Sequence, residues 1–349
     1  IVDDTLLGRL VVYKSDRRGF QYDDVSQFRA GGSDTLVARG KLTWLASDDL
    51  TVKLMVDHND DSRPRAAYMQ FSPGRNHVLN PVFAVSRFDF GDDIWDFRSE
   101  FEPKEDFSLT RAILQAEWET GIGTITAVSS VGKGDVAFLY NNDETQYAIS
   151  WTVQTEEQKD FSQELRLAGK RGALGYLFGL YYIKEDFDQV STNFRGVDSQ
   201  TPGRTQIITS GLTVDANAAF GQLSYEFAND LTANVGVRWS KDKKNAPIFR
   251  TQNGVIQANL QREESWDNVD GSINLSYKLN EDALLYAGAS SGFKSGGFVD
   301  PRNLLDPQIP FGPEKVTAYE VGAKIDFLEG RGRFNFAAFY NMYRDLQVT

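Results

Sequence analysis

The chain has 349 residues, enough for one large or two ordinary domains. Its 49 acidic against 37 basic residues leave a net charge of −12, which argues against nucleic acid, because phosphate binding relies on clustered cations. With no cysteine in the sequence, disulfides, thiolate catalysis and cysteine-ligated zinc are excluded.

No apolar run approaches the ~18 residues that a membrane helix needs. The longest, 174–183, carries three tyrosines and two glycines. A helical membrane protein is therefore excluded, whereas a β-barrel is not, since alternating lipid-facing and lumen-facing residues keep mean hydropathy low. The opening residues Ile1-Val2-Asp3-Asp4 have neither the basic start nor the apolar core of a signal peptide, and read as an internal start.

In chain order the predicted strands are 5–14, 35–45, 50–58, 108–119, 123–131, 161–169, 174–184, 217–228, 231–241, 266–279, 283–293, 317–327 and 333–343. The signal is a period of two. Leu231, Ala233, Val235, Val237 and Trp239 alternate with Thr232, Asn234, Gly236, Arg238 and Ser240. Ile273, Leu275, Tyr277 and Leu279 repeat the design, as do Tyr319, Val321, Ala323, Ile325 and Phe327. Such alternation gives each strand one apolar and one wet face. The strand lengths suit the ~9–11 residues of a tilted membrane-crossing strand.

Connections alternate between short and long. Short turns fall at 47–49, 120–122, 170–172, 229–230, 280–282 and 329–331; long connections span 15–34, 59–107, 132–160, 185–216, 242–265 and 294–316. Outer-membrane barrels show this rhythm, with short periplasmic turns and long external loops, whereas sandwiches and propellers space their turns more evenly. Trp44, Trp118, Tyr225, Phe227, Trp239, Tyr277 and Tyr286 stand near strand ends, where aromatic girdles meet headgroups. The expected lumen face carries Arg39, Lys41, Arg111, Glu117, Glu164 and Arg166, then Gln222, Glu226, Arg238, Lys278, Glu320 and Lys324.

Catalytic signatures do not assemble. The only histidines are His58 and His77, and no nucleophile elbow, P-loop or dinucleotide fingerprint follows a strand. The reading is a non-enzyme without cofactor or resident metal. Asp57-His58-Asn59-Asp60-Asp61 offers oxygen ligands to a hard cation, but reads first as a solvated charge run at the mouth of a loop.

Long loops with a heavy aromatic load are usually functional. Connection 59–107 is the richest, with Tyr68, His77, Trp95 and Arg98 among its rings and cations, a set suited to a catecholate, porphyrin-like or sugar ligand. Segments 192–205 and 251–259 read as exposed loop tips, where Arg195 could draw in an anion. The expected ligand-binding residues are Tyr68, His77, Trp95, Arg98, Arg195 and Phe298.

Three successive motifs carry a family resemblance: GFKSGGF at Gly292–Phe298, GPE…YEVGAK at Gly312–Lys324, and FNFAAFYNMYRDLQ at Phe334–Gln347. Upstream, SQELRL at Ser162–Leu167, LGYLFGLYYIK at 174–184 and the hairpin 219–244 fit the same pattern. The sequence resembles the barrel of TonB-dependent outer-membrane receptors over nearly its whole length, most strongly from about residue 160 onward. The resemblance implies an all-β fold, a transmembrane antiparallel up-and-down β-barrel in a Gram-negative outer membrane. About 13 of about 22 strands would be present, with residues 1–349 forming a partial barrel domain. The plug domain and closing strands have no counterpart in these residues. It further implies active uptake of a scarce ligand, most commonly an iron–siderophore, with cobalamin, haem and oligosaccharide as alternatives and a passive porin as the rival class. The implied partners are the TonB complex, reached through the plug, and the bilayer with its lipopolysaccharide. Lumen charges would hydrogen-bond the plug.

Overall fold

A computed structural model describes residues 5–23, 25–64, 96–143, 146–227, 230–299 and 310–348. Tyr68, His77 and Trp95 lie outside the described residues. Among those described, every regular element is a strand. β1 (Leu6–Arg17) leads into a connection holding β2 (Gln21–Asp23) and β3 (Arg29–Ala30). β4 (Ser33–Leu45) and β5 (Leu50–Pro64) form a hairpin, and β6 (Asp96–Phe97) precedes β7 (Lys104–Thr120). β8 (Gly123–Asn141), β9 (Ser150–Arg171), β10 (Leu174–Arg195) and β11 (Thr205–Phe227) are the longest strands. β12 (Leu231–Asn245) is followed by a small hairpin of β13 (Ile248–Gln252) and β14 (Val255–Leu260). β15 (Glu263–Asn280), β16 (Ala283–Lys294), β17 (Gly297–Phe298), β18 (Pro310–Phe311), β19 (Glu314–Phe327) and β20 (Gly332–Arg344) complete the order.

The long strands form one antiparallel meander, β1-β4-β5-β7-β8-β9-β10-β11-β12-β15-β16-β19-β20, within a 15-stranded sheet to which β13 and β14 add beside the end of β11. Short pieces make two small sheets at the long-connection end: β3-β2-β6, with β2 and β6 parallel, and β17-β18.

Register turns the alternation of single strands into two continuous faces. One lateral row runs Leu223, Val235, Ile273, Ala289, Tyr319, Tyr340, each opposite the next across its strand pair. These outward side chains are exposed although apolar: Val235 is 51 % and Val237 55 % accessible. An apolar band this continuous is costly in water and suits hydrocarbon. The opposite face carries the polar rows. Arg39, Asp57 and Arg111 are register neighbours, as are Thr126 with Glu117 and Arg166. The expected lumen residues all share this face.

Ion pairs tie that wall together, from Arg39 to Asp57 at 2.9 Å and from Lys53 to Glu117 at 2.8 Å. One pair skips a strand. Arg111 on β7 reaches Asp160 on β9 at 3.2 Å, passing over Gly132 of β8, where an added Cβ would strike the Asp160 carboxylate.

Strand number, order and short turns match expectation. Two of the long connections do not. Residues 132–160 are mostly the ends of β8 and β9, and 185–216 mostly those of β10 and β11, leaving links at 142–149 and 196–204. The segment 192–205 begins inside β10, and 251–259 belongs to the β13–β14 hairpin, turned by left-handed Asn253 and Gly254. Asp57–Asp61 lies within β5 rather than a loop mouth, so its side chains alternate between faces. His58 pairs with Thr110, its Nδ1 2.9 Å from the hydroxyl. Tyr286 is no girdle residue: it faces the lumen and donates to Glu320 at 2.7 Å.

Candidate ligand-binding site

All the long connections leave the sheet at one end, where two side-chain clusters gather. The first ties the connection after β1 to the segment after β6. Asp23 is fully buried, and its carboxylate accepts from the backbone N–H of Val25 and Ser26 at 2.8 and 2.9 Å. It also accepts from Ser99 N–H at 2.8 Å, a bond spanning 76 residues of sequence. Ser26 Oγ donates to the Ser99 carbonyl, and Asn141 Nδ2 to Ser99 Oγ. Charge-assisted bonds of this kind are roughly twice as strong as neutral ones. The half-buried Arg98 sits next to this buried serine.

Glu100 follows, with its carboxyl pushed up to about 7 by burial and by the negative charges of Asp143 and Asp198. Asp143 accepts from Ser150 N–H and Asp198 from Ala148 N–H, both within the links beyond β8 and β10. Arg195 is exposed at the end of β10, where its backbone pairs with Arg204 to close the 196–204 link. Arg98 and Arg195 therefore stand on neighbouring parts of one rim.

Phe298 belongs to a second cluster. Its ring meets Trp266 edge-on at 6.2 Å, and the Arg262 guanidinium stands 5.0 Å from its centroid. Arg262 is buried, donating to the carbonyls of Ala246 at 2.9 Å and Val299 at 3.0 Å. Lys244 Nζ donates to the Gly296 carbonyl at 2.8 Å and lies over the Trp266 ring. Desolvation pushes the pKa of both Lys244 and Arg262 below the ordinary range of their side chains. Gly296 is required here, because a Cβ would enter the Trp266 indole. Gln347 closes the cluster from the far side, donating to the carbonyls of Ser295 and Gly312.

Of this cluster the sequence reading named only Phe298, and it did not single out Lys244, Arg262 or Trp266. Lys244 and Trp266 were accessible through parity, since they share the lumen side of their strands with Arg238 and Asp270. Arg262 left no periodic signal. Among the described residues no group of three or more metal-ligating side chains could hold a metal. Arg39 Nε, Arg111 Nε and Asn59 Oδ1, all on the lumen wall, are buried atoms with no hydrogen-bond partner among the described residues.

Known proteins share this architecture. The pesticin receptor of Yersinia pestis is 26 % identical over 190 residues, 53 % of this chain and 27 % of that protein. The metal-pseudopaline receptor CntO of Pseudomonas aeruginosa is 29 % identical over 127 residues, 36 % of this chain and 17 % of that one. Among solved structures, the ferric yersiniabactin uptake receptor FyuA of Yersinia pestis superposes with a TM-score of 0.82 at 18 % identity, over 100 % of this chain and 51 % of its own. The siderophore receptor PiuA of Acinetobacter baumannii gives 0.66 at 12 % identity, over 97 % and 53 %. The chain thus spans about a quarter of the curated relatives and about half of these solved chains. The family model for the TonB dependent receptor-like β-barrel matches residues 16–349, and the chain belongs to that family.

Proposed function

We propose that this chain is the barrel wall of an outer-membrane receptor that actively imports an iron–siderophore complex. The observation carrying the reading is the whole-length superposition on a ferric siderophore uptake receptor, joined to a sequence match with receptors of the same class. In this reading residues 1–349 are part of one barrel domain, and the remainder of the protein supplies the plug that contacts the TonB complex. The unsatisfied lumen atoms of Arg39, Arg111 and Asn59 are the kind of groups such a plug would engage. The protein carries out no bond chemistry.

Ligand capture belongs to the long-connection rim. Arg98 and Arg195 offer positive charge to an anionic ferric chelate, with Tyr68, His77 and Trp95 contributing from connection 59–107 and Phe298 from the second cluster. Lys244 and Arg262 act indirectly, by anchoring the loop that presents Phe298.

The test is uptake of radiolabelled ferric siderophores, ferric yersiniabactin among them, by cells carrying or lacking the gene, with and without the TonB complex. Uptake that needs both is the expected result. Uptake that persists without TonB, and scales linearly with concentration, would instead identify a passive channel.

A further inference from the structure

A second apolar surface lies on the outward face, well clear of the membrane band. Odd-numbered side chains of β9 point away from the lumen residues Glu164 and Arg166, so Phe161 and, eight residues on, Val153 share the outward face. Lys159 and Glu157 stand between them on that face. Lys133 and Asp135 intervene in the same way on β8, and Lys184, Asp186 and Asp188 on β10. At ~3.3 Å per residue and a tilt of about 45°, Val153 is roughly 20 Å beyond Phe161. Register joins it to a lateral row of Leu139, Val153, Thr192, Ile207 and Thr251, which ends on Ile256 of β14. The next row towards the membrane is Ala137, Thr155, Val190, Thr209 and Phe249. On the other side Trp151 stacks on Phe194 at 5.3 Å. None of these side chains is charged, in a chain that is 25 % charged. Val153, Val190, Ile207 and Phe249 are 39–41 % accessible, and Ile256 is 61 % accessible. Contiguous apolar patches exposed to water mark interaction sites.

We propose that this face docks a protein partner at the cell surface through an amphipathic segment carrying cations along one edge. Directly below the apolar rows, Asp60, Asp106, Asp135, Glu157 and Asp188 line a groove of about 580 Å³. Lys133 and Lys159 pair with Asp135 and Glu157. Asp60, Asp106 and Asp188 have no ion pair among the described residues. The occupant follows from that charge. A second copy of this chain in the same membrane would meet the face at equal height and set these acids against their own images. Phosphorylated saccharide would meet them as like charge. A segment with an apolar stripe suits the valine and isoleucine rows, while lysines or arginines on its membrane-proximal edge reach the groove. Because the rows sit on continuous strands rather than loops, the surface is preformed and little ordering opposes binding. Placement outside the cell, though not the binding itself, rests on the receptor reading.

The test uses the full-length receptor in phosphatidylcholine nanodiscs and two short fluorescent helices. The helices share a leucine stripe and are flanked by lysines in one and glutamates in the other; binding to empty discs is subtracted. Wild-type protein should bind the lysine helix roughly tenfold more tightly than the glutamate helix. The combined variant Val153→Thr, Val190→Thr, Ile207→Thr, which only extends the threonines already in the rows, should weaken the lysine helix roughly tenfold. The combined variant Asp60→Asn, Asp106→Asn, Asp188→Asn should lose the preference for lysine and keep the remaining affinity. Both variants should retain the heat-modifiable folded band. Equal binding of the lysine helix by the wild-type and threonine proteins, or an unchanged preference in the asparagine variant, would overturn the proposal. Receptor dimers dissolved by the threonine substitutions would assign the face to a second copy. Helix binding that appears only once residues 66–94 are removed would assign it to that connection, and displacement of the helix by core oligosaccharide would assign it to saccharide; each would overturn the proposal too. None of these outcomes touches the import reading, which the uptake assay decides.

Discussion

Single residues decide how the rim is held. Asp23 collects three backbone donors from two segments far apart in sequence, so Asp23→Ala would leave buried N–H groups unpaired at about 1–3 kcal/mol of local stability. Faster amide exchange confined to residues 20–30 and 98–103 is the expected readout. Glu100 gives the same region a pH dependence. Its carboxyl ionises at about 7 in the folded rim against an ordinary value of 4.5, so the packed arrangement is favoured at low pH and weakens as pH rises through that window. Exchange at 98–103, corrected for intrinsic rates, should accelerate from about pH 5 to about pH 7 and level off above that. Glu100→Gln should remove that acceleration. At the second cluster, Gly296→Ala places a methyl against Trp266 and should displace the loop carrying Phe298, read as altered Trp266 fluorescence in an otherwise folded protein.

At the scale of elements, alternation made the membrane-crossing parts of the strands legible. Val235 and Val237 were assigned to the lipid side from spacing, and register places them in a continuous apolar row. Val235→Arg should therefore cost about 2–4 kcal/mol at mid-membrane, whereas Asn234→Arg on the wet face of the same strand should be tolerated. Loss of the heat-modifiable folded band in the first variant, and its persistence in the second, is the check. The outer halves of β8 to β11 were not legible for a physical reason. In Thr155-Glu156-Glu157-Gln158-Lys159 both faces meet water, so nothing in the sequence alternates, yet the hydrogen-bond ladder continues without a break. The Lys244–Arg262–Trp266 cluster was hidden differently. Its cations bond to carbonyls 16 to 52 residues away, and backbone acceptors leave no trace in side-chain pattern.

For the whole molecule, a meander of long strands with one apolar face and one ionic face forms the wall of a TonB dependent receptor-like β-barrel. In the proposed reading ligand choice is set at the rim, where the sequence of connection 59–107 supplies the largest stock of rings and cations. Removing residues 66–94 from the full-length receptor should abolish binding of its ferric ligand at the cell surface while leaving the folded barrel detectable; undiminished binding would confine capture to the two described clusters.

The height of β9, β10 and β11 has a consequence of its own. β10 has 22 residues, and at ~3.3 Å per residue with a tilt of about 45° it rises roughly 50 Å, about twice the ~25 Å of an apolar barrel band. In the proposed orientation these strands thus stand above the cell surface as a stiff parapet. Trypsin added to intact cells should accordingly cut at its crest, after Arg195 or Arg204, and spare Lys159 and Lys184, which are locked in the masonry below.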